Sequence, residues 1–258
     1  MTRVVISQPM FFPWVGMFEQ IRLADVYVHY DDVQFSKGSF TNRVQIKTIQ
    51  GPKWLTLPVG VHLGEAINQV RLAPAQVQLA QVPLARATRQ SPASADWRAR
   101  HLGFLAQAFA GAPHADEALS LVRRVYEPRH DRLCELVIAS MEAVLGYFEL
   151  APNVRFLRSS QMNVPGSGWA RVLEIVKRTE GDVYVTGHGA RNYLDHEAFE
   201  KAGVRVEYVD YERRPYPQLH GAFTPHVSIL DLVANLGRAG RGVIASGTKP
   251  WREFLSAS

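Results

Sequence analysis

Four polar clusters in this 258-residue chain stand directly behind runs that read as β-strands. Their placement matters because an open parallel sheet binds ligands in the crevice outside the carboxyl ends of its strands. The first cluster runs from Gln8 to Gly16, where two prolines and a glycine stiffen a turn and Gln8 can both donate and accept. The amides that open the following helix can face an anion. The second is Asp31-Asp32-Val33-Gln34-Phe35-Ser36-Lys37-Gly38, with Asn42 and Arg43 close behind. Adjacent carboxylates on extended backbone point to opposite faces, so at most one of Asp31 and Asp32 can face a pocket. That one can serve as a general base or bind a sugar hydroxyl, while its neighbour anchors the turn. Arg43 can clamp a phosphate or carboxylate through paired hydrogen bonds.

The third cluster, Arg158-Ser159-Ser160, offers hydroxyls and amides that suit an anion and equally suit a helix cap. The fourth is Thr186-Gly187-His188-Gly189-Ala190-Arg191-Asn192-Tyr193, where two glycines admit a ligand close to the backbone and Arg191 can neutralise a phosphate. It matches neither a Walker loop nor the dinucleotide fingerprint. Tyr216-Pro217-Gln218 and the pair Asp231 and Asn235 complete the polar inventory. Apolar Ile229, Leu230, Leu232 and Val233 around that pair mark Asp231 and Asn235 as satisfied core groups.

The elements that must position these clusters follow from periodicity. Val4–Ser7 reads as a strand, Gly16–Ala24 as a helix and Asp25–Tyr30 as a second strand, which together make a βαβ unit. Asn42–Thr48 and Lys53–Val59 around Gln50-Gly51 read as a hairpin, and Ile67–Leu72 as a further strand. Residues 73–130 form a helical insert or subdomain, with helices expected at Val77–Thr88 (kinked at Pro83), Ala95–Ala108 and Ala115–Val125. Leu133–Leu145 is an apolar helix. Alternation then resumes through strand Val154–Leu157, helix Trp169–Thr179, strand Val183–Thr186, helix His196–Ala202, strand Val204–Val209 and helix Ser228–Asn235. The whole reads as one α/β domain spanning 1–258: a mostly parallel, Rossmann-like sheet with a β-hairpin excursion and a helical insert.

Composition narrows the function classes. The 29 lysines and arginines exceed the 24 acidic residues by five, and the arginines are scattered, which argues against a nucleic-acid stripe. A small anionic ligand accounts for the mild positive balance. No run approaches a membrane span and the N-terminus lacks the long apolar stretch of a signal peptide. The single cysteine, Cys134, lies in an apolar helix and reads as a buried small hydrophobe, in keeping with a reducing compartment. With no HxxxH and no thiolate set, no metal is expected, and the chain has no GxSxG elbow.

The segments QPMFFPWVGMFEQI, YDDVQFSKGSFTNR, WLTLPV, YVTGHGARNYLD, YPQLHGAF and SILDLVANLG, in this order, resemble the WbqC-like protein family over Ser7–Val59 and Arg158–Gly237. The resemblance implies a bacterial cytoplasmic protein of surface-polysaccharide (O-antigen) biosynthesis that acylates or aminoacylates an amino sugar carried on a nucleotide. It places Gln8, Pro9, Phe12, Pro13, Gly16, Asp31, Asp32, Gln34, Lys37, Asn42, Arg43, Ser159, Gly187, Tyr193 and Gln218 around the pocket. Arg191 stands where many relatives have lysine, so charge is kept and a nucleophilic amine is lost.

The turn FFPWVGM also resembles the phosphate turn of adenylyl-transferring enzymes such as pantothenate synthetase, but their HxGH histidines would fall on Trp14 and Met17, neither of which donates a charged hydrogen bond. The expectation is therefore an amide-forming transferase with Asp31 or Asp32 as base, with acyl-CoA, aminoacyl-tRNA and a free amino acid all open as donor. An ATP-dependent ligase and a non-catalytic sugar-nucleotide-binding protein are the alternatives. The expected partner is a nucleotide sugar or another phosphorylated small molecule.

Overall fold

Three successive β-branched residues, Val4, Val5 and Ile6, suit a strand sealed on both faces. The computed structural model of the chain describes residues 1–74 and 96–256 and puts them at the centre of a six-stranded sheet. The first half contains β1 (Arg3–Ser7), α1 (Val15–Arg22), β2 (Val26–His29), β3 (Arg43–Thr48), β4 (Gly51–Thr56), β5 (Val59–Gly60) and β6 (Arg71–Leu72). Three helices follow: α2 (Trp97–Ala108), α3 (Ala115–Tyr126) and α4 (Leu133–Phe148). The last part holds β7 (Arg155–Arg158), α5 (Gly168–Arg178), β8 (Val183–Thr186), α6 (His196–Lys201), β9 (Arg205–Asp210), α7 (Ile229–Leu236), β10 (Gly247–Pro250) and α8 (Trp251–Ser256).

The sheet order is β10-β9-β8-β1-β2-β7, parallel throughout except for the edge strand β10. From β1 the chain steps outward to β2 and β7, then returns past β1 to β8 and continues to β9. This is the doubly wound strand order of dinucleotide-binding sheets, and the direction reverses between β1 and β8. The α/β, mostly parallel architecture expected from the strand–helix alternation is thus the one observed.

Period-two alternation divides the core between the two faces of the sheet. Val4, Ile6, Val26, Val28, Tyr184 and Val206 pack with Val172, Ile175 and Val176 of α5 and Phe199 of α6. Val5, Tyr27, Val183 and Val185 belong to the other cluster, with Phe18 and Ile21 of α1, the apolar positions of α2, α3 and α4, and the hairpin residues Val44, Ile46 and Leu55.

The β3–β4 hairpin forms as its Gln50-Gly51 signal predicts, with Gly51 at φ 90°. Ile67–Leu72 departs from expectation: only Arg71–Leu72 is strand, paired with Val59–Gly60, because Ile67 and Val70 turn inward as core residues. The helix expected at Val77–Thr88, with Pro83, lies outside the described residues. Strand β10 and helix α8 were not foreseen. Gly-Thr-Lys-Pro has the wrong composition for an interior strand and is tolerated here because β10 is an edge.

Candidate functional site

The turn after β1 is held rather than free. Phe12 has φ 37°, a left-handed conformation that costs on the order of 1–3 kcal/mol for a side chain of this size. Its surroundings impose it: the Phe12 amide donates to Ser140 Oγ of α4 at 3.0 Å, and its carbonyl accepts from Ser228 Oγ at 2.8 Å. The Pro13 carbonyl accepts from the Ile229 amide at 2.9 Å. Pro9, Phe12 and Pro13 are buried. The turn delivers two side chains, Gln8 and Trp14, to the carboxyl edge of the sheet. The Trp14 indole folds back over Gly16 so closely that a Cβ there would lie 2.1 Å from the ring. Tyr211 and His226 pack against the indole at ring distances of 4.9 and 5.0 Å.

The two aspartates after β2 diverge, as extended backbone demands. Asp31 is 1% exposed and accepts from the Ser160 amide at 3.0 Å and Ser160 Oγ at 2.8 Å. Its carboxylate thereby ties the end of β2 to the turn after β7. Asp32 turns the other way and pairs with Arg171 of α5 at 2.5 Å while accepting from Ser159 Oγ at 2.6 Å. Partial burial raises the Asp32 pKa, but the Arg171 and Ser159 hydrogen bonds and the Arg171 charge outweigh it and leave the carboxyl below its ordinary value. Arg171 is held in turn by the Val164 carbonyl, which accepts from its Nε at 2.9 Å, and its guanidinium lies over the Tyr30 ring.

Behind β8, Gly187 comes so near Tyr211 that a Cβ would sit 3.1 Å from the phenol oxygen. The chain then makes a tight turn over His188–Asn192. His188 places Nε2 2.8 Å from the Val209 carbonyl and packs its ring against Tyr211 and Phe254.

These features line one cleft of about 940 Å³. Ile6, Ser7 and Gln8 enter it from β1, Tyr30 and Asp32 from β2, and Thr186 and Gly187 from β8. The opening turn of α5, Gly166-Ser167-Gly168, and Arg171 form the opposite wall, and Tyr211, Arg213 and His226 close the rim. The cleft therefore opens where the strand order reverses, between β1 and β8. Among the described residues, no group of three or more His, Cys, Asp or Glu side chains is arranged to hold a metal ion, and no helix is long and apolar enough to cross a membrane.

The model of the WbqC-like protein family matches residues 8–242, nearly the whole chain. The chain belongs to the WbqC-like family. It is also 31% identical over 239 residues to an uncharacterized protein of Mycobacterium tuberculosis, Rv1507c, covering 92% of this chain and 95% of that protein. No solved structure matches.

Of the residues that the WbqC-like motifs single out, Gln8, Asp32, Gln34, Gly187 and Tyr193 line the cleft. Others hold the walls in place. Asp31 and Ser159 tie β2 to β7, and Pro9, Phe12, Pro13 and Gly16 form the pinned turn. Asn42 is buried and donates to the Leu57 carbonyl at 3.2 Å. Arg43 stacks on Trp54 at 4.1 Å, away from the cleft lining, and Lys37 and Arg191 are exposed outside it. Gln218 accepts from Lys47 Nζ at 3.0 Å and from the Thr224 amide at 2.8 Å, stapling the segment that carries Arg213 and His226.

Sequence reasoning passed over Tyr30, Arg171, His188, Tyr211, Arg213 and His226, and used Trp14 only to argue against adenylation. Arg171 sits in an ordinary amphipathic helix and gives no local signal. For His188 a signal existed: it stands between two glycines directly behind a strand.

Proposed function

We propose that this protein is a group-transfer enzyme of surface-polysaccharide assembly that forms an amide on a nucleotide-linked amino sugar held in the cleft between β1 and β8. The observation that carries this reading is the convergence of the ends of β1, β2 and β8 with the start of α5 on one polar cavity. A volume of about 940 Å³ lies within the ordinary range for metabolite sites. Trp14, Tyr211 and His226 supply flat aromatic surface, and Arg213 supplies positive charge at the rim. Asp32 stays ionised beside Arg171 and can accept a hydrogen bond from a sugar hydroxyl or amine.

The acyl-adenylate alternative gains nothing from the geometry. Trp14 and Met17 both face the cleft, and neither can stabilise a departing phosphate with a charged donor.

The test is a thermal-shift screen of UDP-, dTDP- and GDP-linked amino sugars, ATP and acetyl-CoA, followed by mass spectrometry of mixtures. Stabilisation by a nucleotide sugar and appearance of its N-acyl product support the reading. Pyrophosphate release with ATP would move the protein to the ligases, and binding without product would make it a non-catalytic carrier.

A further inference from the structure

Amide formation needs a group that removes a proton from the attacking amine. Asp32 is poorly placed for it, because both carboxylate oxygens are engaged, by Ser159 and Arg171, and its affinity for a proton is lowered. Asp31 is sealed behind Ser159 and Ser160. His188 is differently placed. Its Nε2 lies 2.8 Å from the Val209 carbonyl, which can only accept, so Nε2 carries the proton. In the neutral ring, Nδ1 is then the atom with a free lone pair. Nδ1 makes no hydrogen bond among the described residues, and it is not one of the polar atoms sealed from solvent without a partner. Tyr211 and Phe254 pack on the ring at 5.1 and 4.7 Å, so its orientation as well as its tautomer is set. The residue lines the cleft at the end of β8, beside the strand crossover.

We infer that His188 is the catalytic base, taking the amine proton on Nδ1. This rests on the amide-forming reading above, with an acyl thioester as donor. The free amine of the sugar attacks the thioester carbonyl carbon, and its N–H proton passes to Nδ1 as the N–C bond forms. Collapse of the tetrahedral adduct breaks the C–S bond, and the departing thiolate takes the proton back from Nδ1. The products are an amide and a thiol, and His188 returns neutral. The Val209 carbonyl stabilises the imidazolium of the intermediate, the part an orienting acceptor plays for a catalytic imidazole.

The experiment offers wild type and His188→Ala the UDP-, dTDP- and GDP-linked amino sugars with acetyl-CoA and reads product by mass spectrometry, with thermal shift as the measure of binding. His188→Ala is expected to lose turnover by roughly 100- to 10,000-fold while nucleotide-sugar binding persists. Added imidazole should restore part of the loss, since the cavity left between Gly187 and Gly189 opens to the cleft; a residue of merely structural importance would show no such rescue. Full turnover in His188→Ala, or a loss that imidazole does not relieve while binding is intact, overturns the assignment. Wild type that binds these sugars but makes no product with acetyl-CoA overturns the acyl-transfer reading and the assignment together.

Discussion

Asp32 and Arg171 are 139 positions apart in the chain and 2.5 Å apart in space. The pair joins the end of β2 to α5, and so ties together two walls of the cleft. Arg171 is 7% exposed at its side chain, against 24% for Asp32. Removing the carboxylate strands a buried cation, whereas removing both charges leaves no unpaired ion and only the Val164 carbonyl without its donor. Asp32→Asn should therefore cost about 2–4 kcal/mol, and the double variant with Arg171→Met should cost less than the sum of the two single changes by at least about 1 kcal/mol. Denaturant melts of the four proteins measure this. Additive losses would mean that the pair is not coupled.

Much of the scaffold was legible because periodicity and turn chemistry act locally. The βαβ opening, the hairpin around Gly51 and the Ser228 cap all follow from residues within a few positions of one another; Ser228 Oγ does accept from the Leu230 amide at 3.2 Å. The cleft was only half legible. The ends of strands could be found, so Gln8, Asp32 and Gly187 could be named, but the far wall could not. Arg171 needs a carboxylate that only the tertiary fold brings to it. Motif residues such as Arg43 and Gln218 look equally functional in sequence whether they touch a ligand or brace a loop. Polar residues packed on other polar residues leave no pattern that separates these roles.

Gly16 is demanded by Trp14 rather than by its own backbone. A methyl group at this position would lie 2.1–2.5 Å from three ring carbons of the indole, and the helix backbone cannot retreat because the preceding turn is pinned to α4 and α7. Gly16→Ala is expected to push the indole off its seat, to destabilise the protein by about 1–3 kcal/mol and to shift the tryptophan emission. Nucleotide-sugar binding should weaken in parallel, since Trp14 lines the cleft. An unchanged emission spectrum with unchanged stability would show that the ring is not seated there.

Buried His29 and half-buried His101 make stability depend on acid. Burial, and then the Arg158 charge, hold His29 at a pKa of about 4; for His101 burial is again the leading cause, and its value is also about 4. A histidine whose folded pKa lies below its unfolded value of 6.5 gives stability that is present above pH 6.5 and lost as pH falls toward 4. The combined loss across that window should reach several kcal/mol, on the order of 1.4 kcal/mol per unit for each group. His29 packs between Tyr27 and Phe156, so His29→Phe keeps the aromatic contact and removes the titration. Stability of the variant, followed by denaturant melts from pH 7 to pH 4.5, should fall less steeply than that of wild type. Parallel curves would place the acid sensitivity elsewhere.

Lys47 is 3% exposed, and its ammonium has three donors for three acceptors: Gln218 Oε1 at 3.0 Å and the carbonyls of Gly221 and Ala222 at 3.1 and 2.6 Å. That complete match is what makes a buried cation tolerable. The consequence falls on the cleft, because the segment gripped by Lys47 runs from Arg213 to His226, and His226 packs on Trp14. Farther along, the Ser228 amide donates to the Gln45 carbonyl at 2.8 Å, so the segment is held to β3 at two points. Lys47→Met removes one of them and leaves two carbonyls without a donor, at a cost of about 2–4 kcal/mol. Hydrogen exchange should accelerate across residues 216–226 while the amides of β1, β2 and β8 keep their protection. If exchange instead rises evenly through the central strands, Lys47 supports the fold as a whole, and the wall of the cleft has no special dependence on it.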